Sequence, residues 1–389
     1  MELFETCSLG PLTLRNRFIK AATFEGRSPR GEVTDDLIAF HRTMAAGGVA
    51  MTTVAYLAVS PDGRTDRHCV VLEERSREGL ARLAAAVHDE GALLGAQLGH
   101  AGPVANGRSN GSPSLAPSSG WSAMGARLTE ATEADLERII ADFAAGAALA
   151  AEAGIDSLEI HMGHNYLISS FLSPKLNRRS DRWGGSLEHR ARLARRVAEA
   201  VRAGVGPTVA VTAKLNMDDG VPGGFGLTEA VEVAQMLDAD GNLDALELTG
   251  GSSLANPMYL FRGEAPRKDF AKTLPAPLRL GFRLVGRHFM PSYPFEEAYF
   301  LPQAKVVAGA VGLPAILLGG ITRPATARAA LEEGFSFVAL GRPLLMEPGI
   351  IDRWASGDEA PSGCTHCNRC MPSIYTGTRC VELEGAVVG

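Results

Sequence analysis

Eight short apolar runs alternate with longer amphipathic stretches along almost the whole chain, and this alternation constrains the fold more than any single motif. The runs are Phe18–Ala22, Val49–Tyr56, Leu93–Leu98, Ser157–His161, Thr208–Leu215, Asp244–Leu248, Ala315–Leu318 and Ser336–Leu340. Between them the 3.6-residue period predicts helices over Asp35–Ala46, Glu74–Glu90, Glu133–Ala153, Leu187–Ala203, Thr228–Asp238, Tyr299–Ala310 and Pro324–Glu333. Glycines at 47, 91, 154, 204 and 334 stand where helices commonly stop. Continuously apolar strands are buried on both faces, the mark of a parallel sheet covered by helices. Eight such units in one chain predict an α/β fold, a (β/α)8 TIM barrel with long βα-loop insertions. A doubly wound dinucleotide fold fits less well, because no GxGxxG follows the first run.

The connections are lopsided. Segments after strands are long (57–73, 99–132, 162–186, 216–227 and 249–297), whereas those before strands are as short as "AGID" or "EGF". Catalytic groups of such barrels sit on the loops that follow strands. At the end of the fourth strand stands "EIHMGHNYLISSFLSP", with His161, His164 and Tyr166 within six positions in a chain holding only nine histidines. A zinc-protease pair would lie four apart on a helix with a glutamate between; this pair leaves a strand. Two satisfied loop histidines would read the same. Gln97 ends the third strand and Lys214 the fifth. Gly319, Gly320, Gly341 and Arg342 follow the seventh and eighth, where barrels hold phosphate. Plain rim residues and turn glycines are the alternative there. Together these groups suit a planar, phosphate-bearing cofactor.

Composition excludes several classes. The net charge of −6 leaves no electrostatic footprint for nucleic acid or an anionic membrane. No apolar stretch approaches the ~18 residues of a membrane span. The opening "MELFETCSLG" lacks the regions of an export signal, so a cytoplasmic, reducing setting is expected. Four of the six cysteines fall in the last 26 residues, as Cys364, Cys367, Cys370 and Cys380, spaced C-x2-C-x2-C-x9-C. That spacing suits an iron–sulfur cluster; tetrahedral zinc and free thiols remain open. The expected domains are a barrel over 1–358 and a cysteine-rich extension over 359–389.

At four stretches in order the chain resembles the Old Yellow Enzyme family of NADH:flavin oxidoreductases, FMN barrels related to dienoyl-CoA reductases. They are "LGPLTLRNRFIKAAT", "AQLGHAG", "EIHMGHNYLISSFLSPKLNRRSDRWGGSLEHRARL" and "LLGGITRPATARAALEEGFSFVALGRPLLMEP". The resemblance implies FMN lying against Ala21, Ala22, Thr23 and Phe24 and near Tyr56. Gln97 would bond its pyrimidine edge, Lys214 would stand by N1/O2, and Gly319, Gly320, Gly341 and Arg342 would hold its phosphate. Phe24 departs from the small polar residue many members carry there, and Trp183 from a commoner tyrosine. His161 and His164 would grip a carbonyl or nitro oxygen while Tyr166 protonates the α-carbon. The implied activity is ene-reduction: hydride from NADH or NADPH, through flavin N5, to the β-carbon of an α,β-unsaturated carbonyl or nitro compound. Other readings are an amine or C–H dehydrogenase, an NADH oxidase, a flavin carrier without turnover, and a lyase with Lys214 as Schiff-base lysine. Multi-domain relatives carry a [4Fe-4S] cluster after the barrel, which implies one on the four tail cysteines with a structural role. Partners reduce to a small enone-type substrate, with a homo-oligomer left open. The insertion at 249–297 is expected at the active-site mouth or an oligomer contact.

Overall fold

The computed structural model describes residues 2–122, 126–274 and 276–385. All eight expected runs are strands of one closed barrel: Phe18–Lys20, Met51–Ala58, Leu93–Gly99, Ser157–Met162, Ala210–Asn216, Ala245–Thr249, Ala315–Leu318 and Phe337–Leu340. Each pairs in parallel with the next, and the eighth closes on the first through Val338 and Phe18. The first strand is shorter than its apolar run because Ala21–Phe24 leave the sheet at the barrel mouth. The Ala21 N–H still reaches across, to the Leu340 carbonyl at 2.9 Å. The second lies two residues further on than expected and carries a register shift between Val54 and Leu57.

Strand alternation sorts each side chain inward or outward. Leu158, Ile160 and Met162 join the large cluster beneath the helices, so Ser157, Glu159 and His161 face the interior. By the same rule Lys214 and Glu247 face inward from the fifth and sixth strands. A lower layer of Ile19, Met51, Ile316 and Phe337 fills the barrel with hydrocarbon. The sequence reading did not anticipate what closes the floor: a hairpin of Cys7–Leu9 and Leu12–Leu14, whose fully buried Leu9 and Leu14 join that layer. Its two-residue loop needs left-handed backbone, which Gly10 supplies at φ 53°.

Helix starts follow local chemistry. The Thr34 hydroxyl accepts from Leu37 N at the head of Asp35–Ala46, and Thr132 with Asp135 forms a capping box on Glu133–Glu152. No helix among the described residues is long and apolar enough to cross a membrane.

The insertion after the sixth strand carries helices Arg267–Thr273 and Ala276–Phe289, packed through Phe270, Phe282 and Phe289. Its base grips the cysteine tail. Asn368 donates to the Phe261 and Glu264 carbonyls at 2.6 and 2.9 Å, and His366 stacks on Phe295 with centroids 3.4 Å apart.

Candidate active site at the barrel mouth

His161 is the last inward-facing residue of the fourth strand, and the chain then turns sharply. His164 and Asn165 adopt left-handed backbone at φ 59° and 58°, uncommon for side chains other than glycine. Tertiary bonds hold the turn: His164 N donates to Asn216 Oδ1 at 3.1 Å, and Asn165 N to Ser169 Oγ at 3.1 Å. Tyr166 follows as the residue capping the short helix Leu167–Leu172. The three expected side chains converge. The imidazole centroids are 5.2 Å apart, and the Tyr166 ring lies 4.5 Å from His161 and 5.5 Å from Tyr56.

Electrostatics fix the protonation of the pair. Burial, then His164 and Lys214, push the His161 pKa well below its ordinary value, and burial with Lys214 lowers His164 to about 3. Both imidazoles are therefore neutral at pH 7, and each offers one N–H donor. His164 Nε2 shares a hydrogen bond with Thr249 Oγ1 at 3.0 Å. His161 Nδ1 is buried with no partner among the described residues, so a hydrogen-bonding ligand there would satisfy it.

Beneath the pair lies a polar layer. Lys214 Nζ is 2.9 Å from both Glu159 and Glu247, and Gln97 donates to Glu159 Oε1 at 2.7 Å. Burial alone would lower the lysine pKa, but the two carboxylates outweigh it and hold Lys214 protonated. Burial and the Glu159 charge raise Glu247, against the pull of Lys214. An ammonium has three N–H groups, so one remains for a ligand above the layer. Neither glutamate figured in the sequence reading. The signal was a carboxylate at an inward position of an otherwise apolar strand, in "SLEIHM" and "ALELT".

Around the rim, Ala21 is buried while Ala22, Thr23 and Phe24 are partly open. Thr23 Oγ1 is buried without a partner. The Tyr56 hydroxyl donates to the Gly63 carbonyl. Gly319 and Gly320 have φ of 102° and 77°. A Cβ on Gly319 would meet Phe300 at 2.6 Å, and one on Gly320 the Glu296 carbonyl at 2.7 Å, so both positions require glycine. The Arg342 guanidinium turns to the tail, donating to the Arg262 carbonyl at 2.8 Å and to Asn368 Oδ1. Unpartnered polar atoms at Thr23 and His161, and a spare ammonium N–H, on the same barrel end as the glycines after the seventh and eighth strands, fit a flat cofactor with a polar edge and a phosphate.

In the tail, Cys364, Cys367, Cys370 and Cys380 line one small cavity together with Arg342 and Met346. All four are free thiols, and burial pushes Cys370 up to about 11 despite Arg342. Among the described residues no three His, Cys, Asp or Glu side chains gather closely enough to hold one metal ion.

Comparison with known proteins agrees with this arrangement. The family model described as NADH:flavin oxidoreductase / NADH oxidase matches residues 2–248. A 4,4'-dithiodibutanoate disulfide reductase of Rhodococcus erythropolis is 54% identical over 387 residues, spanning 99% of this chain and 96% of that one. A metal reductase of Desulforamulus reducens is 33% identical over 377 residues, and this chain spans 52% of its length. The old yellow enzyme homologue of Zymomonas mobilis shares the fold with a TM-score of 0.74 at 21% identity, over 98% of this chain and all of that one. The chain belongs to the NADH:flavin oxidoreductase / NADH oxidase family, with FMN as its flavin and a nicotinamide as its reductant.

Proposed function

We propose that this enzyme passes hydride from NADH or NADPH through FMN to an activated double bond, as an ene-reductase. The observation that carries the reading is the pair of neutral imidazoles, His161 and His164, with Tyr166 against them. FMN, when bound, supplies hydride from N5. The chain's own groups do the rest. Two imidazole N–H donors aimed at a carbonyl or nitro oxygen stabilise the negative charge that builds there, an effect larger in a buried site than in water. The Tyr166 hydroxyl protonates the α-carbon. Gln97, tied by its amide to Glu159, keeps its carbonyl and second N–H for the pyrimidine edge, and Lys214 stands by N1/O2. Ala21, Ala22, Thr23 and Phe24 form the seat of the ring beside Tyr56. Gly319, Gly320, Gly341 and the backbone of Arg342 hold the phosphate.

A second reading, favoured by the 54%-identical relative, is reductive cleavage of a linear organic disulfide. Hydride would add to one sulfur, the S–S bond would break, and the departing thiolate would take its proton from Tyr166. The same donors serve both reactions, so the acceptor decides. The test is anaerobic: bleach the flavin with NADH or NADPH, then add cyclohexenone, a nitroalkene or 4,4'-dithiodibutanoate. Rapid reoxidation by the alkenes supports ene-reduction. Reoxidation by the disulfide alone replaces it with the second reading.

For the tail we propose a [4Fe-4S] cluster of structural role on Cys364, Cys367, Cys370 and Cys380. Four thiols around one cavity, with Arg342 to offset thiolate charge, support it.

A further inference from the structure

The polar layer inside the barrel carries one more charge than its geometry balances. Glu159, Lys214 and Glu247 are sealed from solvent, at 8%, 2% and 2% side-chain exposure, and a single ammonium lies between two carboxylates. The two glutamates are not equivalent. Glu159 Oε1 accepts hydrogen bonds from both Gln97 and Lys214, at 2.7 and 2.9 Å. Glu247 Oε1 is equally near the ammonium, but among the described residues no second donor such as Gln97 reaches it. An under-satisfied carboxylate beside a second carboxylate, in low dielectric, is where a proton binds most readily.

Among the described residues nothing else nearby competes for that proton. The seventh strand faces Glu247 with Ile316, and the lower layer is hydrocarbon. Above stand His161 and His164, which the burial and cationic field of the site keep neutral. Lys20, although close enough to feel Lys214 and Glu159, is ion-paired to Glu25 at 2.9 Å. The ionisable groups facing Glu247 are thus Lys214, Glu159 and the two neutral histidines.

We propose that Glu247 is a proton reservoir for the flavin: it takes one proton from water as hydride reduces the cofactor and returns it as hydride leaves. This rests on Lys214 standing at N1/O2. Hydride delivers two electrons and one hydrogen nucleus, leaving one negative charge at the pyrimidine edge. That charge draws on the same ammonium that stabilises the two carboxylates, so one carboxylate protonates and total charge inside the barrel is unchanged. No further oxidant or reductant is needed. In the second half-reaction the proton returns to water, while Tyr166 supplies the separate proton that ends on product. Glu247 acts here as a positioning group for charge and does not touch substrate.

The test is the reduction potential of the FMN-loaded enzyme between about pH 5 and about pH 9. Hydride-equivalent reduction alone takes up one proton per two electrons. Uptake on Glu247 adds a second, making the equilibrium tenfold more pH-sensitive per unit, about 30 mV. The parent should show this steeper slope through the neutral range, and Glu247→Gln only the shallower one. A retained steep slope in E247Q would assign the proton to the flavin and overturn the proposal. Infrared difference spectra of the parent give a check that needs no variant. Reduction should produce the C=O band of a protonated carboxyl group, and its absence also overturns the proposal. Failure of the underlying reading looks different: Lys214→Met would leave both flavin content and potential unchanged.

Discussion

Thr378 N donates to the Glu25 carbonyl at 2.7 Å, and the Thr378 hydroxyl donates to the neighbouring Phe24 carbonyl. The cysteine-rich tail is thereby fastened to the segment that leaves the first barrel strand, more than 350 residues away in sequence. Glu25 is itself buried, accepting from Lys20 Nζ at 2.9 Å with His41 3.3 Å away. The tail, the segment leaving the first strand and the first helix form one bonded unit. Thr378→Val should therefore cost about 1 kcal/mol in urea unfolding and loosen FMN. Unchanged stability and unchanged FMN affinity would make the contact incidental.

The imidazole pair yields the sharpest kinetic expectation. His161→Ala and His164→Ala should each slow reoxidation by cyclohexenone about 10²-fold or more, since each removes one donor to the developing charge. Flavin reduction by nicotinamide should suffer less. Parent rates with the enone in both variants would end the clamp reading.

Tyr166→Phe should slow enone reduction by about 10²–10⁴-fold, the span expected of a positioned general acid. A nitroalkene should lose less, because solvent can protonate its stabilised anion. Equal losses with both acceptors would point to packing of the Tyr166 ring on His161 and Tyr56.

Acid stability should also report on His164. Its pKa falls from 6.5 in the unfolded chain to about 3 when folded, through burial and Lys214. Between those values the unfolded state binds the extra proton, so stability rises with pH across that window. The contribution is complete above pH 6.5 and lost as pH falls toward 3. His164→Asn keeps a residue suited to the left-handed turn but does not titrate. Its unfolding free energy should depend less steeply on pH, and an identical slope would exclude this origin.

Protein prepared anaerobically with ample iron should carry about four iron and four sulfide per chain, with broad absorbance beyond the flavin bands. Negligible iron would remove the cluster, and stoichiometric zinc would replace it. Cys364→Ser should lower metal content without removing FMN.

Eight strands and the βα-loop address of the chemistry were legible in sequence because a parallel barrel buries every strand on both faces. That demand writes itself as apolar runs at regular intervals. His161, His164 and Tyr166 were legible for a related reason: they follow a strand end within one short loop, so local sequence already brings them near one another. The Cys7–Leu14 hairpin was missed because its strands are three residues each, too short to show a period. The second strand's shift reflects a register irregularity that only pairing with the third strand defines.

By itself, then, the sequence determined the barrel, the end at which the candidate site gathers and the residue types found there, since periodicity and chain-local spacing depend on neighbours in the chain. Tertiary structure alone decided the charge states and the company each group keeps. Glu159, Lys214 and Glu247 come from three different strands and become a triad only when the barrel closes on them. Arg342, expected at a phosphate, also donates from one guanidinium nitrogen to Asn368 of the tail, a contact no spacing along the chain announces. Burial and Coulomb interactions depend on distance through space, and no reading along the chain contains those distances.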